Sequence, residues 1–481
     1  MRQMWWPFLQ ASTQKIGLMS FIAYDIIFLV VFTLLVVLFL YTHRHNLKRE
    51  GLLYLYRTKV GLRVIEWTSR KYASILKPMQ YLIIASGYAL MAAMLWFLAS
   101  FSYNYIRSPF LAEQLRVPVL TPLIPYIDKL FTVDFLPPFY FTYWIIIIAI
   151  IAVPHEFAHG IFARLNKIRI HSTGFGFLGP FLAAFVEQNE KDMTKAKKFP
   201  QLAVLAAGTF ANVLTAIIFG IIFILFTAAA FTPAGVYFNT YSAGIIDVSS
   251  INTINGVPYS EFKLDNSSST VLKITSDNLT YFASSSLLDR AVKEGRQLVA
   301  YEDSPARRAN LSGAITHING KEINSYDILR STIQDYRVGD NITITTTNGK
   351  LSREFNITLA EKEGRAFLGV GIIPNEPSGI RGFVYSFIKE VKDPFLYYHS
   401  DLGDFGIFIY DLLWWIIIIC ISVALVNMLP VGMFDGGRFF YLTVLGITGS
   451  EKAGKRAFKI STWIILLLVA ALMLKWFLAI F

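Results

Sequence analysis

The chain has 481 residues, of which 54% are hydrophobic, 15% aromatic and only 16% charged, with a mean hydropathy of +0.48. Those values exclude an ordinary soluble globular protein and point to a polytopic membrane protein. A single cysteine, Cys420, excludes a disulfide framework and a cysteine metal site, so any metal must be held by His, Asp or Glu.

In chain order, runs long enough to span a hydrocarbon core, which takes about 20 residues, fall near 21–41, 81–101, 140–163, 201–230, 409–430 and 460–481. Six transmembrane helices are expected. The first run is too long for a signal-peptide core and is followed by "RHNLKRE", so it reads as an uncleaved anchor. The loops at 43–80, 164–200 and 438–459 together hold 21 Lys and Arg against 6 Asp and Glu, a surplus larger than the net charge of the whole chain, +11. The positive-inside rule places these loops in the cytoplasm, and the alternate segments and both termini outside. The 43–80 loop is amphipathic and basic, which fits a helix lying on anionic lipid better than any nucleic-acid surface.

The one large polar segment, 232–406, falls on the outer side and has the sequence of a β-rich soluble domain. "DNITITTTNGKLSREFNITL" (340–359) reads as two strands around an Asn-Gly turn. A weak repeat relates "SINTINGVPY" (250–259) to "AITHINGKEI" (314–323), as two related modules or one with an insertion. The sequons at Asn266, Asn278, Asn310, Asn341 and Asn356 all lie here, in agreement with an outward domain. The expected organisation is a two-span region with its basic loop (1–138), a membrane core (139–231), the outward region (232–406) and a second part of the core (407–481).

The third apolar run ends in "VPHEFAHGIFARL" (153–165). His155 and His159 are neighbours on one helix face, about 5–6 Å apart at Cβ, so one metal ion can take both. Glu156 projects about 100° round from His155, within reach of a water on that metal. Zinc held by three protein ligands lowers the pKa of a bound water to about 7, and a nearby carboxylate can take its proton as it attacks a carbonyl. Ionisable groups inside a span are costly, so three together read as functional. Pro154 just before them cannot donate a backbone hydrogen bond and fits a local opening to water.

A third ligand is still needed, and no other His lies in a span. The best candidate is Asp435 in "NMLPVGMFDGGRFF" (427–440), although Asp-Gly is also ordinary turn chemistry. The third and fifth spans both run inward, which brings the histidine motif and Asp435 to the same depth. His43, His45, His171, His317 and His399 have no metal-ligand spacing to a partner.

These residues resemble the site-2 protease family of intramembrane zinc metalloproteases, on "HEFAHG", "NMLPVGMFDGG" and "GFGFLGPFLAAFVEQNEKDMTKAKKFPQLAVLAAGTFAN" (174–212). "SPARRANLSGAITHINGKEI" (304–323) is similar to the family's outward PDZ-type insertion. The resemblance implies a polytopic α-helical membrane protein with a re-entrant β-hairpin and an inserted extracytoplasmic α+β PDZ-like domain. It implies one Zn2+ per chain on His155, His159 and Asp435, with Glu156 as general base. Asn212 would polarise the scissile carbonyl or steady the oxyanion, or else bridge two helices, and Asn427 would shape the turn. The sequence departs from the family at Thr209, where Pro is usual, and at Phe434, where Leu is common.

The implied activity is hydrolysis of peptide bonds within or near transmembrane segments, with membrane-protein substrates, the lipid bilayer as partner, and an active site towards the cytoplasmic side of the cell membrane. A helical substrate must unwind locally, and the glycine-rich hairpin "IRIHSTGFGFLGPFLAAFV" (168–186) offers an edge for strand addition. Two alternatives are a non-catalytic PDZ-containing scaffold and a membrane protease acting on prenylated C termini. A structural zinc site needs no base, which disfavours the first. The second takes its third ligand from a glutamate, and no later span supplies one.

Overall fold

Backbone groups in hydrocarbon must find partners within their own segment, and the apolar runs accordingly fold as long helices. The computed structural model describes residues 21–51, 53–107, 123–130, 136–178, 181–262, 271–277, 279–294, 297–349, 351–372, 389 and 392–480. The sequons at Asn266 and Asn278 lie outside them. The helices used below are α1 (Phe21–Thr42), α2 (Leu62–Lys71), α3 (Ala73–Arg107), α4 (Phe141–Leu165), α5 (Lys198–Ala230), α6 (Gly403–Asn427), α7 (Asp435–Thr448) and α8 (Glu451–Ile480). Among the described residues, α1, α3, α4, α5, α6 and α8 are long and apolar enough to cross a membrane. The chain divides into two compact units, 15–226 with 408–481, and a second built on 227–407.

In the first unit, α3, α4, α5 and α7 pack around Ile83, Phe162, Val204, Ala206, Met428 and Phe439. A second cluster joins Phe139, Phe141 and Ile147 to Trp415 and Ile416. The start of α4 has no cap from its own N-cap residue, Tyr140. Asp25, buried in α1, supplies it from another helix: its carboxylate accepts the backbone N–H groups of Phe141 (2.7 Å) and Thr142 (2.9 Å) and the Tyr126 hydroxyl (2.7 Å). A carboxylate in an apolar helix is thus satisfied by the unpaired amides and positive end of its neighbour.

The 43–80 loop departs from the single lipid-lying helix expected of it. Leu47–Glu50 (β1) and Leu53–Thr58 (β2) form a hairpin, and apart from one 3-10 turn at Arg44–Asn46 only α2 is helical before α3 begins. In the stretch read as a hairpin, Ile170–Leu178 (β3) and Phe181–Gln188 (β4) pair, and the sheet runs β1-β2-β3-β4, antiparallel throughout. "LYLYRT" alternates with a strand's period of two, and pairing with it satisfies the backbone of β3, which helical amphipathicity in the neighbouring residues masks at sequence level. Gly174 permits the pairing, since a Cβ there would lie 2.2 Å from the Tyr56 carbonyl oxygen.

The second unit contains two six-stranded sheets. One gathers Ile254, Ile274, Leu288 and Leu298 into a core, the other Val236, Ile315, Ile318 and Ile344. The two copies of the weak repeat take the same form, one in each sheet: a strand, an Asn-Gly turn and a short return strand. Both turns have positive φ at both residues, 52° and 83° at Asn255-Gly256, 46° and 80° at Asn319-Gly320. That is the hairpin conformation Asn-Gly favours.

Candidate active site

His155 and His159 lie on one face of α4, one turn apart, and α4 continues through Pro154. Both are buried. Asp435 is the first residue of α7, so Asp-Gly-Gly, which is also ordinary turn chemistry, here opens a 14-residue helix with the carboxylate at its positive end. Gly436 and Gly437 allow this, because a Cβ on either would come within 2.3 Å of the backbone at Met428 and Val431 respectively. The α7 start therefore packs tightly on the "NMLPV" turn.

His159 Nε2 is 3.1 Å from His155 Nε2 and 3.3 Å from an Asp435 carboxylate oxygen, which is 3.7 Å from His155 Nε2. Among the described residues this is the one group of three such side chains whose ligand atoms converge, all within 4.8 Å. His159 Nδ1 is 2.7 Å from the Val204 carbonyl oxygen. A carbonyl only accepts, so Nδ1 carries the proton and Nε2 presents its lone pair. The Asn212 side-chain nitrogen lies 3.0 Å from His155 Nδ1, and Asn212 Oδ1 is buried without a partner. Exchanging the two ends of that amide would satisfy the oxygen on a protonated Nδ1 and leave His155 Nε2 a lone pair. Two lone pairs and a carboxylate about 3–4 Å apart repel one another unless a proton or a metal cation lies among them. Tetrahedral ligands at about 2.0–2.1 Å from a zinc ion stand roughly 3.3 Å apart, so the group fits such a metal.

Glu156 does not point at this group's far side. Its Oε2 accepts the backbone N–H of Val186 in β4 at 2.9 Å. β4 is the last strand of its sheet, and because Val186 turns its N–H away from β3, alternation turns those of Ala184 and Leu182 the same way. Glu156 therefore marks one end of an open strand edge.

Two contributors were not singled out in the sequence. A Cβ on Gly208 of α5 would lie 2.3 Å from His159 Nε2 and 2.6 Å from His155 Nε2. Only a glycine lets α5 cross there. The run of small residues in "LAVLAAGTFAN" is the signal for such a close approach. Val204 acts through its backbone, which no side-chain pattern reveals. His171 contacts Asn189 and His43 stacks on Phe39, away from the group.

Six candidate spans fit a multi-pass membrane protein, and the His-His-Asp group, both histidines buried and the aspartate partly so, could hold a metal ion. A profile of peptidase family M50, the site-2 protease family, matches residues 143–472. The chain belongs to peptidase family M50, and is a metallopeptidase by that membership. No curated protein matches it. Among solved structures, it is similar to the PDZ domain of an SdrC-like protein from Listeria monocytogenes, at 27% identity over 15% of this chain and 78% of that one, with a TM-score of 0.14.

Proposed function

We propose that this chain is an intramembrane zinc metalloendopeptidase that hydrolyses peptide bonds within or beside the transmembrane segments of membrane proteins. The observation that carries the reading is the convergence of His155, His159 and Asp435 beside Glu156 on a helix apolar enough to span the membrane. The nitrogen and carboxylate donor set suits zinc. Bound there, zinc supplies Lewis acidity and a hydrolytic nucleophile at neutral pH.

The protein's own groups do the rest. Val204 fixes the ring tautomer of His159, and Asn212, with its amide oxygen turned to Nδ1, that of His155. Asn212 is thus a positioning residue for His155, in place of the direct contact with the scissile carbonyl that the family resemblance implies. Glu156 keeps one carboxylate oxygen on Val186 N–H and uses the other to take a proton from the attacking water and return it to the leaving amine. An unwound substrate segment pairs with the free N–H groups of Leu182 and Ala184 and is led towards Glu156. The 227–407 unit, placed outside by the charge distribution of the loops, excludes substrates that still carry a bulky outer portion, and a PDZ-like module there engages their new ends.

The test is incubation of the purified full-length protein in detergent with a panel of single-span substrates, whole and shortened on the outer side, with cut sites mapped by mass spectrometry. Cuts within the spans of the shortened substrates are expected. Failure to cut any of them by a protein shown to hold its metal would overturn the reading.

A further inference from the structure

α2 lies directly behind the stretch that carries the histidines. Its inner face is fixed there. Ile65 is fully buried, and a Cβ on Gly160 of α4 would meet its Cδ1 at 2.9 Å. Glu66 pairs with Arg164 in the last turn of α4. Gly61, at φ +89°, leads into α2 against the ring of Phe157, where a Cβ would lie 2.6 Å away.

The outer face is of another kind. Arg63, Val64, Trp67, Arg70 and Lys71 are exposed. Lys71 Nζ stands 4.5 Å over the Trp67 ring, and Trp67 meets Tyr72 edge-on at 5.6 Å. Among the described residues, none of Arg63, Arg70 and Lys71 pairs with a carboxylate, and the one acid of α2, Glu66, is taken by Arg164. α3, a candidate span, begins at Ala73, two residues after α2 ends. α2 is therefore tied to the boundary where that span leaves the hydrocarbon, and Trp, Tyr and Lys are the residues of that boundary. Cations without carboxylate partners, flanking apolar side chains, complement a layer of anionic headgroups with acyl chains beneath it.

We propose that the outer face of α2 docks anionic phospholipid headgroups, and that this contact holds α2 against the Gly160 end of the histidine-bearing helix, so that anionic lipid accelerates proteolysis. The acceleration rests on the protease reading; the docking does not.

The test uses the full chain in vesicles of phosphatidylcholine, with and without phosphatidylglycerol, beside the triple variant Arg63→Gln, Arg70→Gln, Lys71→Gln and the single variant Glu66→Gln. Native mass spectrometry counts retained phosphatidylglycerol, and cleavage of a single-span substrate reports the rate. The wild type is expected to retain phosphatidylglycerol, to lose it as salt is raised, and to cut faster in the anionic vesicles by on the order of fivefold or more. The triple variant is expected to lose both responses, whereas Glu66→Gln retains the lipid and loses the acceleration. Equal retention by wild type and triple variant overturns the docking. So does a triple variant that changes only the oligomeric state, which would make the face a contact between copies. Unchanged rates with normal retention overturn the coupling, and no cleavage in any vesicle, with normal retention, overturns the protease reading while the docking stands.

Discussion

Replacing Gly208 by alanine tests the closeness of α5 to the metal-binding group. The added Cβ would stand 2.3 Å from His159 Nε2 and 2.6 Å from His155 Nε2, whereas ordinary contact begins at 3.4 Å. One ring or the whole helix must therefore retreat by about 1 Å, roughly five times the 0.2 Å tolerance of a metal–ligand distance. Helix α5 is held by buried Ala203, Ala206 and Ala207, so the rings move and the ligand set opens. Metal affinity is expected to fall by at least about a hundredfold, and overpacking to cost about 1–3 kcal/mol of stability. Gly220 in the same helix has nothing within 4 Å of its would-be Cβ, so Gly220→Ala is the control. The assay is titration of the metal-free proteins with zinc against a competing chelator, with thermal unfolding in parallel. A Gly208→Ala protein that binds zinc like the wild type would show that α5 gives way instead of the rings, and would refute the reasoning that this close crossing holds the ligand set in place.

Other perturbations probe the supports of the site. Asp25→Ala leaves two first-turn amides of α4 without an acceptor and is expected to destabilise the protein by about 1–3 kcal/mol in detergent unfolding, where a neutral outcome would remove Asp25 from the scaffold. Asn212→Ala is expected to weaken zinc binding by about 10–100-fold while Asn212→Asp, which keeps an acceptor for His155 Nδ1–H, retains it; the same loss in both would contradict a role through His155. On the polar surface, the Arg169 guanidinium grips Asp192 at 2.6 and 2.9 Å and holds its carboxyl down at about 2 from 3.8. A depressed carboxylate stabilises above its unfolded pKa and loses that contribution as pH falls through the folded one. Asp192→Asn should therefore lower the melting temperature at neutral pH, leave it nearly unchanged near pH 2, and so narrow the fall between about pH 4 and pH 2.

Much of this arrangement is written in local pattern. The spans follow from hydropathy, and His155 and His159 from a four-residue spacing that only a helix turns into proximity. Asp435 was reached through matched depth along two inward-running spans, and the structure brings it within 3.3 Å of His159. What local pattern leaves out is set by partners distant in sequence. Asp25 reads as an isolated acid in an apolar run until α4 arrives to share its amides. The strands β1 and β2 hide in a basic loop because the strand that β2 joins, β3, lies more than a hundred residues on. Val186 and Val204 act through backbone atoms, which every residue possesses. Asn212 was legible as a polar residue in a span, but its target, a histidine ring, depends on how two helices cross.

The measurement that bears most directly on the central claim is a comparison of wild type with Glu156→Gln, scoring bound zinc and cleavage of an outwardly shortened single-span substrate in the same preparations. Both proteins are expected to hold about one zinc per chain, with cutting by the wild type alone. A Glu156→Gln protein that cuts at the wild-type rate, or a wild type that cuts without metal, would contradict the assignment of ligands and base to this site.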